Sequence, residues 1–231
     1  MGIKERKVRE KEARREDIID AAEKIFFQKG VMVATMDEIA EAAELSKGTL
    51  YLYYKSKEDL YLAVCLRGME IMHDLFLKAT TTDEPVVKLI QNLGPAYLSY
   101  FKNHREYFRM FYFFEHPQLQ SQVSPEMQEL CSTSDRGIWA IVVGLIQKGI
   151  DTGVLHKDLD PMEASVMLWS NSNGLMRLMD RNDDQWVRKL SLDLESTLNK
   201  SNSFLVQSML TEKGKKEYAD MMLDHIHVDN T

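Results

Sequence analysis

Residues 35–60 read Thr35-Met36-Asp37-Glu38-Ile39-Ala40-Glu41-Ala42-Ala43-Glu44-Leu45-Ser46-Lys47-Gly48-Thr49-Leu50-Tyr51-Leu52-Tyr53-Tyr54-Lys55-Ser56-Lys57-Glu58-Asp59-Leu60. Thr35 followed three positions later by Glu38 is a capping box, in which the hydroxyl satisfies an orphan amide of a first helical turn and the carboxylate reaches back to the cap. The helix it opens, Met36 to about Ala43, holds Ile39, Ala40 and Ala43 on one face, and the alanines permit close packing. Glu44-Leu45-Ser46 leaves room only for a tight turn before Ser46 caps a second helix, Lys47 to about Tyr53. Two short helices joined so closely make a helix-turn-helix. Leu50 and Tyr54, four apart, pack inward with Ile39 and Leu45. The face left over shows Lys47, Gly48, Thr49, Tyr51 and Tyr53: donors, flat rings and one residue without a side chain. Base edges need donors, acceptors and methyl contacts, and phosphates need hydroxyls, lysines and amide-rich helix starts. The second helix therefore points to duplex DNA.

Upstream, Ile18, Ala22, Ile25 and Phe26 recur at helical spacing from about Arg14 to Lys29, and Gly30 stops them. Residues 14–60 thus form an N-terminal three-helix, helix-turn-helix DNA-binding domain. Residues 1–13 form a basic N-terminal arm, either a solubilising tail or a segment that reaches an adjacent groove. Downstream, Ser56 caps a helix from Lys57 to about Ala79. Further helices are expected from Pro85 to about Lys102, from Asn103-His104-Arg105-Glu106 to Phe114, and from Ser124-Pro125 to Thr152-Gly153. Asp160-Pro161, with proline at the first helical position, opens one to about Asp180. The next starts at Asp183 or Asp184 and runs to about Leu210, and the last covers Lys213 to about His225. No alternating strand pattern interrupts them. The fold class is all-α, nine or ten helices in total, with residues 61–231 forming a larger C-terminal helical bundle.

The net charge of −7 taken alone disfavours a nucleic-acid partner, but the charge is uneven. Residues 1–57 carry 12 Lys+Arg against 11 Asp+Glu, whereas residues 58–231 carry 17 against 25. Seven of the basic residues fall within residues 1–15, beside three glutamates.

The ordered set Thr35–Ala40, Ser46–Tyr51 and Tyr54–Leu60 resembles the tetracycline-repressor (TetR) family of bacterial regulators, over about Arg14 to Leu62. The resemblance implies phosphate contacts from Thr35, Tyr53 and Lys57, and groove contacts from Lys47, Gly48, Thr49 and Tyr51, with Ser46 heading the reading helix. Leu52 stands where many members carry an aromatic residue and Tyr53 where many carry His, which leaves sequence preference open. Plainer roles compete at several positions: Thr35 as a cap alone, Lys55 and Lys57 as solvated charges, Tyr54 as core. Two rival readings of the whole are a helix-turn-helix that contacts protein and an enzyme with a DNA-binding head.

The second half is dense in aromatic residues. Tyr97, Phe101, Phe108, Phe111, Trp139, Trp169, Asn173 and Met176 are candidates for the wall of an apolar ligand pocket, which the resemblance places in the larger domain. Packing in the core is the competing role for each. A single helix-turn-helix buries too little DNA for tight specific binding, so a homodimer on a palindromic operator is expected. Ser170 and Gly174, small enough for close helix approach, and Leu194 and Leu198 on the next helix are candidate interface residues. The partners expected are double-stranded operator DNA, a small hydrophobic effector that releases it, and a second copy.

Six histidines lack metal-ligand spacing, and no motif of nucleophilic or phosphate-cradling chemistry is found, so neither metal, cofactor nor catalysis is expected. Cys65 and Cys131 lie within apolar helical patterns and read as reduced, buried thiols. No apolar run is long enough for a membrane span, and the charged start does not resemble a signal peptide, which places the chain in the cytoplasm.

Overall fold

The computed structural model describes residues 2–114, 121–181 and 191–228. Ten helices run through them: α1 Ile3–Lys29, α2 Met36–Ala42, α3 Lys47–Tyr53, α4 Lys57–Thr80, α5 Val86–Asn103, α6 Arg105–Phe114, α7 Pro125–Asp151, α8 Pro161–Asp180, α9 Leu194–Met209 and α10 Glu212–Val228. Among the described residues there is no strand, only an isolated bridge between Leu155 and Leu210. The all-α class is as expected. No helix among them is long and apolar enough to cross a membrane.

The chain forms two compact units, Met1–Glu70 with His104–Asp135, and Ile71–Asn103 with Arg136–Thr231. In the first, α1, α2 and α3 bury Ile18, Ala22, Phe26, Ile39, Ala40 and Leu50. The caps do what the sequence requires of them. Thr35 Oγ1 accepts from the Glu38 amide at 3.3 Å while the Thr35 amide donates to the Glu38 carboxylate at 3.0 Å, and Ser46 Oγ accepts from the Thr49 amide at 3.1 Å. Gly30, at φ 75, ends α1 in a backbone conformation that an L side chain disfavours.

The first unit continues through α4 and α6. Arg67 bonds three carboxylates of α1, Glu16 at 2.7 Å, Asp20 at 2.7 Å and Glu23 at 2.9 Å. Desolvation opposes its charge, but the three carboxylates outweigh it and hold the guanidinium more firmly protonated than usual. The Tyr61 hydroxyl donates to the Met110 carbonyl at 2.8 Å, and the Ser124 amide donates to Asp59 at 2.7 Å. At Gly68, α4 meets α6 so closely that a Cβ would lie 2.7–2.9 Å from Tyr107. Tyr107 cannot swing away freely, because its hydroxyl donates to Glu23. Gly68→Ala should therefore lower stability by about 1–3 kcal/mol through overpacking, despite the better helix propensity of alanine. Urea unfolding checks this, and a midpoint unchanged or raised would contradict it.

In the second unit α8 and α9 lie side by side, joined by a polar ladder: Asn171 Nδ2 donates to Ser201 Oγ at 2.9 Å and to Asn202 Oδ1 at 2.7 Å, and Ser172 Oγ donates to Asn202 Oδ1 at 3.1 Å. Tyr97, Tyr100, Phe101, Ile146, Met176, Leu198 and Val206 are buried in this unit.

Two helix starts differ from expectation. The segment 1–13, read as an arm, is helical from Ile3, because Lys, Arg, Glu and Ala favour helix and α1 already supplies the nucleus they extend. The helix expected from Asp183 or Asp184 begins at Leu194 among the described residues. There Asp193 Oδ1 accepts from the amides of Glu195 and Ser196 at 3.0 and 3.1 Å. Residues 182–190, including both expected caps, lie outside the described residues.

Candidate nucleic-acid interface

Helix α3 sorts its residues by face. Leu50 has no exposed surface and Tyr54, its C-cap, is 8% exposed. Burial pushes the Tyr54 phenol up to about 12, so this ring is core, the plainer of its two roles. Ser46, Lys47, Gly48 and Tyr51 are exposed, and Thr49 and Tyr53 are half-buried. Leu52 stands 76% exposed, an apolar contact surface beside the polar ones.

Several polar groups on and beside this face are held. Lys47 Nζ lies 2.7 Å from Asp37 Oδ1, and that hydrogen bond, with the attraction of the carboxylate, raises the pKa of the ammonium. Asp37 does not stand out in the sequence; a carboxylate on α2 near the start of α3 becomes a partner only once the turn brings the helices together. Both side chains are largely exposed, so the pair holds weakly and can exchange for a phosphate or a guanine edge. The Ser46 and Thr49 hydroxyls share a hydrogen bond of 2.8 Å. Lys57 Nζ donates to the Ala34 carbonyl at 2.9 Å, which sets this ammonium one residue from Thr35 at the start of α2. Thr35 and Lys57, read separately as phosphate ligands, are thus brought to one place.

Gly48 is the most informative residue of the face. A Cβ there would meet only Ser46 Oγ, at 3.9 Å. Nothing among the described residues requires glycine at this position, although glycine is a poorer helix former than alanine.

The residues expected to form a pocket wall are divided between the two units. Tyr97 and Asn173 meet, the Tyr97 hydroxyl donating to Asn173 Oδ1 at 3.1 Å inside the second unit, where Phe101 and Met176 are also buried. Trp139 and Trp169 contact edge to face at 6.0 Å, and Trp169 is 40% exposed. Phe108 and Phe111 fall in the first unit. A shallow groove of about 340 Å³ in the second unit is lined by Pro95, Leu98, Ser99, Lys102, Glu195 and other residues, none of them from the expected wall. Asn171 is occupied with the α8–α9 ladder.

Of the interface candidates, Ser170 and Gly174 are exposed, and a Cβ on Gly174 would meet nothing. Leu194 is half-buried. Leu198 is corrected: with no exposed surface it belongs to the core of its own subunit. The apolar residue that α9 does present is Phe204, 70% exposed.

A tight two-helix turn, a second helix capped at Ser46 and an open polar face define a helix-turn-helix DNA-binding regulator. The family model described as bacterial regulatory proteins, tetR family, matches residues 18–64. The HTH-type transcriptional regulator YhgD of Bacillus subtilis is 30% identical over 159 residues, taking in 67% of this chain and 78% of YhgD. The transcriptional activator FasR of Mycolicibacterium smegmatis is 27% identical over 157 residues, 62% of this chain and 71% of FasR. Among solved structures, the regulator FadR of Bacillus subtilis in complex with stearoyl-CoA superposes with a TM-score of 0.66 at 20% identity, covering 83% of this chain and 97% of FadR. This chain belongs to the TetR family of bacterial transcriptional regulators.

Proposed function

We propose that the chain is a cytoplasmic, ligand-responsive repressor that binds a palindromic operator as a homodimer and is released by a small hydrophobic effector. The observation that carries the DNA-reading assignment is the α3 face itself, Lys47, Gly48, Thr49 and Tyr51 turned outward with an unexplained glycine among them. In this reading Thr35, Tyr53 and Lys57 hold phosphates, and residues 14–60 are the reading head.

The second copy is proposed to dock on α8 and α9, where Met162, Val166, Met167 and Phe204 are exposed beside Ser170 and Gly174. Apolar side chains shown on two adjacent helices suit a self-complementary contact about a two-fold axis. The effector is proposed to enter the second unit near Tyr97 and Asn173. Support for a hydrophobic ligand comes from the stearoyl-CoA bound to FadR, and from a fatty acid metabolism regulator of Bacillus subtilis that is 23% identical over 179 residues. Helix α4 carries the coupling, since its residues up to Glu70 belong to the first unit and those from Ile71 to the second. Activation is the second reading, favoured by the name of the relative FasR.

The test is operator affinity by fluorescence anisotropy, with and without long-chain acyl-CoA, at fixed salt. A true effector weakens binding about 5–150-fold, and operator weakens effector binding by the same factor. A panel of hydrophobic ligands that leaves affinity unchanged overturns the effector assignment. A second prediction concerns Lys57. Lys57→Gln should weaken binding to all sequences alike and reduce the slope of log affinity against log salt by about 0.9 per subunit. A loss confined to one sequence would place Lys57 on a base instead.

A further inference from the structure

Helix α1 starts well before the body it packs against. Residues 4–14 are exposed without exception, and Ile18 is the first buried residue. At 1.5 Å per residue the free portion, Ile3 to Arg14, is about 17 Å long. Five of the seven basic residues up to Arg15 share one face, and Arg6 and Arg9 lie elsewhere on the helix. At 3.6 residues per turn, Lys4, Lys7, Lys11, Arg14 and Arg15 fall within an arc of roughly 100°, and no carboxylate shares that arc. Glu5, Glu12 and Glu16 lie on another side of the helix, and further along that side Asp20 and Glu23 join Glu16 in binding Arg67.

The phase of the basic stripe is what gives it meaning. Continued along α1, the same arc passes through Ile18, Ala22 and Ile25 and reaches Lys29, which bonds Glu38 of α2. The stripe therefore looks out on the side of α1 where the helix-turn-helix lies, while the acidic row looks toward α4. No carboxylate among the described residues pairs with Lys4, Lys7 or Lys11, and Arg14 has one loose partner, Asp17 at 3.7 Å. Cationic groups repeated every three or four residues along a rigid helix match a polyanion that carries one charge per about 1.7 Å of axis.

We propose that the helical extension Ile3–Arg14 is a rigid arm that lies along the phosphates flanking the operator. This rests on α3 reading the operator itself. Lys4, Lys7 and Lys11 add sequence-independent contacts over about five base pairs beyond each half-site, a span set by the 17 Å length and a rise of about 3.4 Å per base pair. They raise affinity and extend the footprint without altering which bases are preferred.

The test uses the full chain and a duplex recovered by selection from random-sequence DNA, in a long form and in a form trimmed to the conserved core. The triple variant K4Q/K7Q/K11Q keeps helix-forming side chains at exposed positions. On the long duplex it should lower the salt slope by about 0.9 for every phosphate that is no longer neutralised, up to about five for a dimer, with base preference unchanged. On the trimmed duplex native protein and variant should coincide. The variant Val8→Pro, which breaks the exposed helix and leaves its charges, should reproduce most of the loss. Native salt slopes matched by the triple variant on the long duplex overturn the proposal while leaving the DNA reading intact. An equal loss on both duplexes overturns the flanking placement, and an unaffected Val8→Pro overturns the rigid arm. A native protein without salt-sensitive affinity for any duplex overturns both this and the reading beneath it.

Discussion

Gly48→Ala should leave the protein as stable as the native chain or about 1 kcal/mol more stable, and should weaken operator binding about tenfold or more. The first half follows from the open space around the residue: an added Cβ meets only Ser46 Oγ at 3.9 Å, and alanine is the better helix former. The second half follows from the assignment of the α3 face to the major groove. A glycine tolerated at a cost in helix stability, without a neighbour that demands it, marks close backbone approach by another molecule. A methyl group there lifts α3 away from the base edges, and the contacts of Lys47, Thr49 and Tyr51 weaken together. Tenfold corresponds to about 1.4 kcal/mol. Paired measurements of urea midpoint and DNA affinity decide the matter. Unchanged affinity would place the groove contact elsewhere, and a loss of stability would mean that glycine serves the subunit after all.

Phe204→Asp should convert the proposed dimer to monomers without harming the subunit fold. Phe204 is 70% exposed in the isolated chain, so its removal costs the monomer little. Across a two-fold contact each substitution counts twice. Burial of a large apolar side chain contributes about 1.5–3 kcal/mol, so the pair loses about 3–6 kcal/mol before the cost of an inserted charge, roughly a hundredfold or more in dimer affinity. Operator affinity should collapse with it, because each half-site alone offers too small an interface. Gly174→Arg, at a position open to solvent, provides an independent probe of the same face. Sedimentation at micromolar concentration reads the outcome; a persistent dimer in both variants would move the interface away from α8 and α9.

The helix starts at Thr35, Ser46 and Asp160 are legible in the sequence because a cap is a local object: a short polar side chain meets amides two or three residues on, and no distant residue is consulted. The α3 boundaries agree for the same reason. The extension of α1 to Ile3 is not legible from apolar periodicity, since its residues are charged around most of the circumference and bury nothing. Leu198 and Phe204 show a different limit. Both are apolar and both sit on α9, and which turns inward is set by the neighbouring helix, through the ladder from Asn171 and Ser172 to Asn202. The Lys47–Asp37 pair and the hold of Lys57 on the Ala34 carbonyl likewise depend on where separate elements come to rest. Composition alone does not assign the aromatic residues to units; Phe108 and Tyr97 lie in different ones.

The most direct test of the DNA-reading face is selection of bound duplexes from a random-sequence library by the purified native protein, with Lys47→Ala carried in parallel. The native chain should enrich an inverted repeat whose half-sites lie about one helical turn, roughly 34–36 Å, apart. Lys47→Ala should relax the preference within each half-site without abolishing binding. Recovery of no common sequence by the native chain, or an identical motif at every position from Lys47→Ala, would contradict the assignment of α3 to the major groove.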